Sequence, residues 1–336
     1  MRFALKCSAL LLGLVVLASL ARAADTKELI IAEPVHNTAY LPLYIAIDKG
    51  LFAAEGLTVK VLTVEGGSAH TNAVLTGQAF GFIGGPEHDA FAKLKGAELR
   101  SIVNIVDRGN NYLVAATDKD PTDKSDKIFA SYFKGKAIAT SQFGGTPNST
   151  IRYMIQKAGL DVKKDVTLLE TTTPGILAAV KQGQAQVAIT SEPFLTQGIR
   201  QNIWGEPFYN VPKEMGPYAY STINVQLASI QKDPETARRF VRAMIRALHL
   251  TYEHKDEAVA VAQKEFPTMA PEDLKATLDR CFADEMWSHD GMVSEQSWTT
   301  AEAVVRAADI LKADVPYGDI IDMQFVKAVL ASAPAN

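Results

Sequence analysis

Cysteine is almost absent from this chain of 336 residues, which contains only Cys7 and Cys281. Cys7 lies in an N-terminal segment with the features of a secretion signal, so an exported chain would keep Cys281 alone and could form no internal disulfide. Stability must then come from the burial of apolar side chains. With 47% hydrophobic residues, the chain is long enough for two domains, each with its own core.

Motifs for catalysis, metal binding and nucleotide binding are also missing. The chain has no Gly-x-Ser-x-Gly segment and no glycine-rich loop that ends in Gly-Lys-Ser/Thr. His249 and His254 are five residues apart, which places them on different faces of a helix rather than around a zinc ion. Cys281 lies in a predicted amphipathic helix, which indicates a buried apolar residue rather than a nucleophile. We predict a protein that is not an enzyme and that uses no cofactor or metal.

The one long apolar run lies at the N-terminus. Residues 1–23 combine basic residues, an uncharged segment from Ala9 to Ala21 and the small-x-small sequence Ala21-Arg22-Ala23, which predicts a signal peptide cleaved before Ala24. The apolar segment of about 13 residues is shorter than the roughly 20 that a membrane-spanning helix needs. Cys7 precedes this segment, whereas a lipid-bearing cysteine would follow it. We expect export to the periplasm without a lipid anchor.

Basic residues are outnumbered by acidic ones. The chain has 34 Lys and Arg against 38 Asp and Glu, and loss of Arg2, Lys6 and Arg22 with the signal peptide leaves 31 against 38, a net charge of −7. This sign argues against nucleic acid or an anionic membrane surface as a partner.

Apolar periodicity predicts a duplicated α/β unit. In each unit buried strands alternate with helices, and the second helix ends in Gly77-Gln78-Ala79 in the first unit and in Gly183-Gln184-Ala185 in the second. The predicted strands are 27–33, 57–63 and 81–83, then 136–140, 166–169 and 187–190; helices begin at Tyr40 and span 68–76, 148–158 and 174–182. Two similar βαβαβ lobes that face each other would enclose a cleft.

Two stretches indicate where the chain crosses between the lobes. One is a polar connection from Thr117 to Lys134, and the other is Gly216-Pro217-Tyr218. We therefore expect lobe 1 to comprise residues 24–117 and 222–336, and lobe 2 to comprise residues 118–221. Helices that begin at Asp233, near Pro271, near Ser297 and at Asp322 are expected to pack on lobe 1.

Ligands bind beyond the carboxyl ends of the strands in open, mainly parallel sheets. This rule selects six loops: 33–40, 65–70, 84–89, 141–149, 171–174 and 191–194. They hold no Lys or Arg but five carboxylates and three histidines, namely Glu33, Glu65, Glu87, Asp89, Glu192, His36, His70 and His88. We therefore expect a ligand with hydrogen-bond donors or a cationic end. About two of the five carboxylates are expected to contact it, while the others cap helices or face solvent.

In two of these loops glycines precede the start of a predicted helix, and aromatic residues lie near several of the loops. Gly66-Gly67-Ser68 and Gly144-Gly145-Thr146 either let the backbone approach a ligand closely or form ordinary capped turns. The aromatic residues either stack on a ligand or are buried beneath the loops; they are Tyr40, Phe143, Phe194, Tyr218 and Tyr220.

Three segments carry a family likeness: P-L-Y-I-A-I-D-K-G-L-F-A-A-E-G-L-T-V-K-V, G-G-S-A-H-T-N-A-V-L-T-G-Q-A and A-A-V-K-Q-G-Q-A-Q-V-A-I-T-S-E-P. The chain resembles the nitrate, sulfonate and taurine group of ABC-importer substrate-binding proteins, whose broad family includes binding proteins for thiamine-pyrimidine precursors. The resemblance implies a type II periplasmic-binding-protein fold with two crossings. It also implies that the lobes close on a small ligand and deliver it to a membrane permease powered by a cytoplasmic ATPase. We expect the protein to be a monomer.

The resemblance further implies which residues bind the ligand. They are His36, Asn37, Tyr40, Gly67, Ser68, His70, Gly85, Pro86 and Glu87 in the first lobe, and Phe143, Gly144, Gly145, Thr146, Thr173 and Glu192 in the second. We add Tyr218 of the return crossing to this set as an aromatic residue near the loops. Sulfonate binders of the family often place a basic residue at the anion, which the six loops lack. This leaves taurine-like, pyrimidine-like and aromatic ligands open.

Two alternatives stay open beside capture for import. Relatives of this fold include a thiamine-pyrimidine synthase, but its chemistry requires a cysteine-rich motif, and neither the single remaining cysteine nor the secretion signal favours that enzyme. The other alternative is a periplasmic sensor subunit that reports the ligand to a receptor.

Overall fold

The computed structural model describes residues 26–65, 67–117 and 130–332. The predicted signal peptide therefore lies outside the described residues, as does most of the polar connection that begins at Thr117. Two five-stranded sheets with helices packed around them form two lobes. Within the described ranges, no helix has both the length and the apolar character needed to cross a bilayer.

The strands and helices alternate along most of the chain. The strands are β1 (Lys27–Glu33), β2 (Leu57–Thr63), β3 (Gly81–Gly84), β4 (Leu99–Arg108), β5 (Tyr112–Ala115), β6 (Ala137–Ser141), β7 (Thr167–Thr171), β8 (Val187–Thr190), β9 (Tyr209–Asn210) and β10 (Pro217–Gln226). The helices are α1 (Leu41–Asp48), α2 (Leu51–Ala54), α3 (Ala69–Leu75), α4 (Glu87–Lys93), α5 (Ala130–Phe133), α6 (Thr146–Lys157), α7 (Thr173–Lys181), α8 (Phe194–Arg200), α9 (Val211–Met215), α10 (Leu227–Lys232), α11 (Pro234–Glu253), α12 (Lys255–Glu265), α13 (Pro271–Ala283), α14 (Glu295–Ala307), α15 (Tyr317–Ile320) and α16 (Gln324–Ser332).

The two sheets share one plan. The first has the order β2-β1-β3-β10-β4 and the second the order β7-β6-β8-β5-β9. In each, the first strand of a βαβαβ unit lies between the other two and parallel to them, and a strand from outside the unit extends the sheet in the antiparallel direction. The predicted duplication is confirmed, and so are the predicted bounds of β1, β2 and β8.

The chain passes between the sheets at residues 109–111 and again at residues 211–216, because β4 and β10 belong to the first sheet and β5 and β9 to the second. The boundaries expected at residues 117 and 221 lie farther along the chain. The first boundary placed β5 in lobe 1 because the polar residues follow that strand. Yet β5 pairs with β8, with Tyr112 opposite Thr190, so the polarity of a connection does not show which sheet the preceding strand joins.

The predicted helix at Asp233 is confirmed as α11. The Asp233 carboxylate accepts a hydrogen bond from the backbone N–H of Thr236 at 3.1 Å, and Pro234 occupies the first helical position. Its apolar stripe is buried and consists of Phe240, Val241, Met244, Ile245 and Leu248. The helix packs against α1, α2 and α16, as expected for lobe 1.

Two of the C-terminal helices also contact lobe 2. Helix α13 contacts α8, and α14 contacts α6, so the expectation that these helices pack on lobe 1 is incomplete. Buried carboxylates strengthen the first contact. Glu192 accepts from Nε of Arg280 at 3.0 Å, and Asp284 accepts from the Tyr112 hydroxyl at 2.7 Å. These bonds join residues far apart in sequence and hold the two lobes together on the side of α13.

Candidate ligand-binding site

A cavity of about 110 Å³ lies between the lobes. All six loops selected from the strand ends contribute to its wall, which confirms the predicted position of the cleft. The loops supply Pro34, Val35, Asn37, Ala39, Tyr40, Glu65, Gly67, His70, Gly84, Gly85, His88, Ser141, Gln142, Gly145, Thr146, Pro147, Thr171, Thr172, Thr173, Pro174 and Ser191. Asn110 in the first crossing and Tyr220 and Ser221 on β10 complete the wall.

The lobes touch each other beside this cavity. The Thr146 hydroxyl donates to Oε1 of Glu87 at 2.5 Å. The loops that carry Gly67 and Phe143 are so close that a Cβ atom added at Gly67 would lie 2.2 Å from the Phe143 carbonyl oxygen. The structure therefore shows the cleft in a closed form.

Amide side chains connect the wall across both lobes. Asn37 accepts from the backbone N–H of Ala39 at 2.8 Å, which starts the short helical turn that carries Tyr40. The Asn37 side chain also donates to Ser191 at 3.3 Å and accepts from Asn110 at 3.3 Å. One residue of the first lobe thus contacts the second lobe and the crossing between them.

The wall of the cavity carries little charge. Among the described residues, Glu65 is the only carboxylate on the wall, and no Lys or Arg lines it. Asp89 is fully buried and accepts from Ser101 at 3.1 Å within the core of lobe 1. Burial raises the pKa of Asp89 well above its ordinary value, which favours the protonated form of this side chain.

Both histidines of the wall are neutral. Burial lowers the pKa of His70 well below its ordinary value, with the adjacent His88 as a further cause, and burial lowers the pKa of His88 to about 4. The two rings meet edge to face with their centroids 4.5 Å apart. Neither ring nitrogen of His70 has a hydrogen-bond partner in the described structure. Because buried polar atoms are nearly always paired, this ring can offer one donor and one acceptor to a ligand.

Glu33 and His36 lie behind the loop that carries Asn37. The buried Glu33 carboxylate accepts from the Tyr44 hydroxyl at 2.6 Å and from the Thr63 hydroxyl at 2.7 Å, and Nδ1 of His36 lies 3.0 Å from it. The hydrogen bond to Glu33 is the largest cause that raises the pKa of His36. Neither residue lines the cavity, and the hydrogen bonds of this cluster hold the loop in position.

Helices α6 and α7 begin at the wall, but only one has a side-chain cap. At α7, the Thr172 hydroxyl accepts from the backbone N–H of Gly175 at 3.3 Å. Helix α6 begins after Gly145, which has no side chain to accept such a bond. Because Gly145 and Thr146 line the cavity, the uncapped N–H groups of α6 are available to an acceptor atom of a ligand.

Two of the candidate aromatic residues line the cavity, Tyr40 and Tyr220. Tyr218 is fully buried behind Tyr220, with the ring centroids 5.5 Å apart. Phe143 is 56% exposed, and the Arg152 guanidinium lies 5.2 Å from its ring centroid. Of the two roles left open by the sequence, stacking on a ligand or burial beneath the loops, Tyr218 has the second. Phe143 is neither buried nor part of the cavity wall.

The sixteen predicted site residues divide into two equal groups. Those on the cavity wall are Asn37, Tyr40, Gly67, His70, Gly85, Gly145, Thr146 and Thr173. Those off the wall are His36, Ser68, Pro86, Glu87, Phe143, Gly144, Glu192 and Tyr218. A role for the first group in ligand binding stays a prediction.

Glu192 differs most from its predicted role. Its buried carboxylate accepts from the backbone N–H and the hydroxyl of Thr196, from Thr277 and from Arg280. Burial raises the pKa of Glu192, while the bonds to Thr196 and the charge of Arg280 oppose that rise. We therefore correct its role: Glu192 caps α8 and ties α13 to lobe 2, and it does not line the cavity.

Sequence reasoning missed several wall residues, above all Asn110 and Ser221. Asn110 lies in the first crossing, directly after the end of β4, and Ser221 lies within β10, so neither belongs to the six loops selected from the two repeated units. The available signal was polarity in segments that run between the sheets, because such segments pass next to the cleft. This signal can be used only when the crossings are assigned to the correct residues. The expected first boundary, at residue 117, lies C-terminal to the observed crossing at residues 109–111.

Within the described ranges, we looked for residues that could bind a metal ion and for a reactive thiol. No group of three or more His, Cys, Asp or Glu side chains there could hold a metal ion. The predicted burial of Cys281 is confirmed, and burial raises the pKa of its thiol well above the ordinary value.

Known proteins resemble this chain in sequence and in fold. The riboflavin-binding protein RibY of Chloroflexus aurantiacus is 26% identical over 313 residues, which cover 87% of this chain and 84% of RibY. The periplasmic nitrate-binding protein NrtA of Synechocystis PCC 6803 matches with a TM-score of 0.74 at 14% identity, over 93% of this chain and 90% of NrtA. The alkanesulfonate-binding protein SsuA of Xanthomonas axonopodis pv. citri, bound to MOPS, matches with a TM-score of 0.72 at 16% identity, over 90% of this chain and 100% of SsuA.

These structural likenesses confirm the predicted fold class, a periplasmic-binding-protein fold of two α/β lobes about a cleft. The family model described as NMT1/THI5 like matches residues 37–258, more than half of the chain. The matched range includes both crossings and all six loops of the cavity wall except the first residues of the first loop. The predicted family is confirmed: this chain belongs to the NMT1/THI5 like family.

Proposed function

We propose that this chain is the substrate-binding component of an ABC import system. It captures a small molecule between its lobes in the periplasm, acts as a monomer, and passes the molecule to a permease of the inner membrane. The observation that carries the proposal is the cavity between the lobes, whose wall combines loops from both sheets. Two of the proteins that share its fold are named as periplasmic or alkanesulfonate-binding proteins, which supports a binding role. The absence of an enzymatic activity stays a prediction.

The wall supports a polar organic ligand without net negative charge. It carries Glu65 and two neutral histidines, and among the described residues it has no Lys or Arg to balance an anion. The start of α6 offers donors to an acceptor atom, while Glu65 and His70 offer acceptors to a donor. A taurine-like zwitterion or a pyrimidine-like ring meets both demands. The carboxylate of an aromatic acid could accept hydrogen bonds only from the N–H groups at the start of α6. Nitrate has no hydrogen-bond donor for the acceptors Glu65 and His70, so both compounds fit the wall less well.

Capture works through a shift between open and closed forms. The Glu87–Thr146 bond and the Gly67–Phe143 approach exist only when the lobes are together. A ligand that contacts both lobes adds interactions to the closed form alone and so increases its population.

A thermal-shift panel tests the function. The panel contains taurine, alkanesulfonates, nitrate, pyrimidines, riboflavin and aromatic acids. A ligand present at 100 times its Kd should add about 2.7 kcal/mol to the free energy of unfolding. We expect the shift from zwitterionic or uncharged compounds and none from nitrate. If no compound in the panel raises the unfolding temperature, the result would count against solute binding. A higher unfolding temperature with nitrate would contradict the argument that the wall excludes ligands with net negative charge.

Ser141→Ala should weaken binding of the compound found in the panel without weakening the fold. The Ser141 hydroxyl lines the cavity and has no hydrogen-bond partner in the protein, so its loss leaves no protein group unpaired. A lost hydrogen bond of about 0.5–1.5 kcal/mol corresponds to roughly 2- to 12-fold weaker binding by calorimetry. Ser68→Ala, at an exposed residue off the wall, is the matched control and should bind normally. Equal affinities in both variants would remove Ser141 from the site.

A further inference from the structure

The carboxyl group of Glu87 lies at the contact between the lobes. Its side chain is 1% exposed, and Oε1 accepts from the Thr146 hydroxyl of the other lobe at 2.5 Å. Oε2 is buried without any hydrogen-bond partner. A carboxylate anion with one neutral donor and one unpaired oxygen is poorly stabilised, whereas a protonated carboxyl has no charge to stabilise.

The groups around Glu87 supply no positive charge. On its own helix it is followed by Asp89 and by His88, which is neutral and contacts the ring of His70. The titratable groups that face it from other elements are Tyr40, which precedes α1, and Tyr218 and Tyr220 on β10. Burial therefore dominates and raises the pKa of Glu87 to about 7 from 4.5, while the Thr146 hydroxyl and the backbone N–H of Glu87 offset only part of that rise.

Opening of the cleft would change this environment. Thr146 belongs to lobe 2 and would move away from Glu87 with that lobe. Gly84, Gly85 and His88, the neighbours of Glu87 in sequence, line the cavity, so water would reach this face of lobe 1. A solvated carboxyl returns toward its ordinary pKa.

We propose that Glu87 binds a proton when the lobes close, so that capture of a ligand by this cleft is linked to the uptake of one proton. The inference deepens the proposed capture between lobes and rests on it. Because the carboxyl is a weaker acid in the closed form, closing is favoured below pH 4.5, and this advantage is lost as the pH rises from 4.5 to about 7. A difference of about 2.5 in pKa corresponds to roughly 300-fold in the closing equilibrium across that window.

Distances between the lobes test the proposal without any ligand. Spin labels on Lys60→Cys in lobe 1 and Lys163→Cys in lobe 2 occupy exposed positions, and native Cys281 is buried. Pulsed electron resonance from pH 4 to pH 8 then gives the ratio of closed to open molecules. We expect this ratio to fall by at least tenfold between pH 4.5 and 7 in the otherwise native protein. In Glu87→Gln, which keeps the shape but cannot titrate, the ratio should stay constant. Thr146→Ser keeps the hydroxyl donor and should keep the pH dependence.

The same pH dependence in the native protein and in Glu87→Gln, or no closed population in either, would overturn the proposal. Because the distances are measured on the protein alone, a failed ligand panel would reject capture without changing this readout. A successful panel with a pH-independent ratio would retain capture and reject proton linkage.

Discussion

Gly67→Ala is expected to weaken ligand binding by roughly 5- to 150-fold while leaving the unfolding of the ligand-free protein nearly unchanged. The added Cβ would lie 2.2 Å from the Phe143 carbonyl oxygen on the other lobe, and backbone atoms on both sides cannot yield easily. Overpacking of this kind costs about 1–3 kcal/mol, which here opposes closing alone. Calorimetry with the compound found in the panel measures the affinity, and thermal unfolding without it measures the fold.

Gly318→Ala is the matched control for this substitution. A Cβ added at Gly318 has no heavy atom within 4 Å, and neither glycine has the positive φ that an alanine would find strained. The control should bind and unfold as the native protein does. If Gly67→Ala binds as tightly as Gly318→Ala, the contact between the two loops does not belong to the ligand-bound form.

Arg280→Met is expected to lower the free energy of unfolding by about 3–5 kcal/mol at pH 7. The Glu192 carboxylate is fully buried, and Arg280 is its cationic partner at 3.0 Å, so the substitution leaves a buried charge without compensation. Loss of Arg280 raises the pKa of Glu192 further. The deficit should therefore shrink as the pH falls and Glu192 of the folded native protein, whose pKa is itself raised above 4.5, also becomes protonated. Urea unfolding at several pH values measures both effects.

Lys275→Met on the same helix provides the comparison. Lys275 and its partner Asp279 are mostly exposed, and pairs of this kind contribute at most about 1 kcal/mol. A second variant, Glu192→Gln with Arg280→Met, removes the buried charge and should recover part of the lost stability. Equal losses in Arg280→Met and Lys275→Met would show that the Glu192 pair does not stabilise the contact between α13 and lobe 2.

Most of the sheet structure could be predicted from the sequence. Strands β1, β2 and β8 have the predicted bounds because β1 and β8 have an apolar centre and β2 alternates apolar with polar residues. Each of these signals depends on neighbouring residues alone. The six loops followed from the strand ends, and all of them reach the cavity. Strand β5 is the exception, since its pairing with β8 joins segments more than 70 residues apart.

The composition of the loops predicted the cleft better than it predicted which side chains line it. The five carboxylates looked alike in the sequence, yet only Glu65 lines the cavity among the described residues. The hydrogen-bond partner of Glu87 is Thr146, at a sequence separation of 59 residues. The partner of Glu192 is Arg280, at a separation of 88 residues. A carboxylate with such a partner is removed from the wall, and no local pattern reveals the partner.

By itself, the sequence determined the two repeated α/β units, the family and the six loops that meet at one cleft. These depend on periodicity and short connections within each unit. Only the tertiary structure decided where the chain crosses between the lobes, that Glu87 and Glu192 join the lobes rather than line the cavity, and that His70 and His88 are neutral. Each of these depends on burial and on contacts between residues distant in the chain, which exist only once the two lobes are packed together.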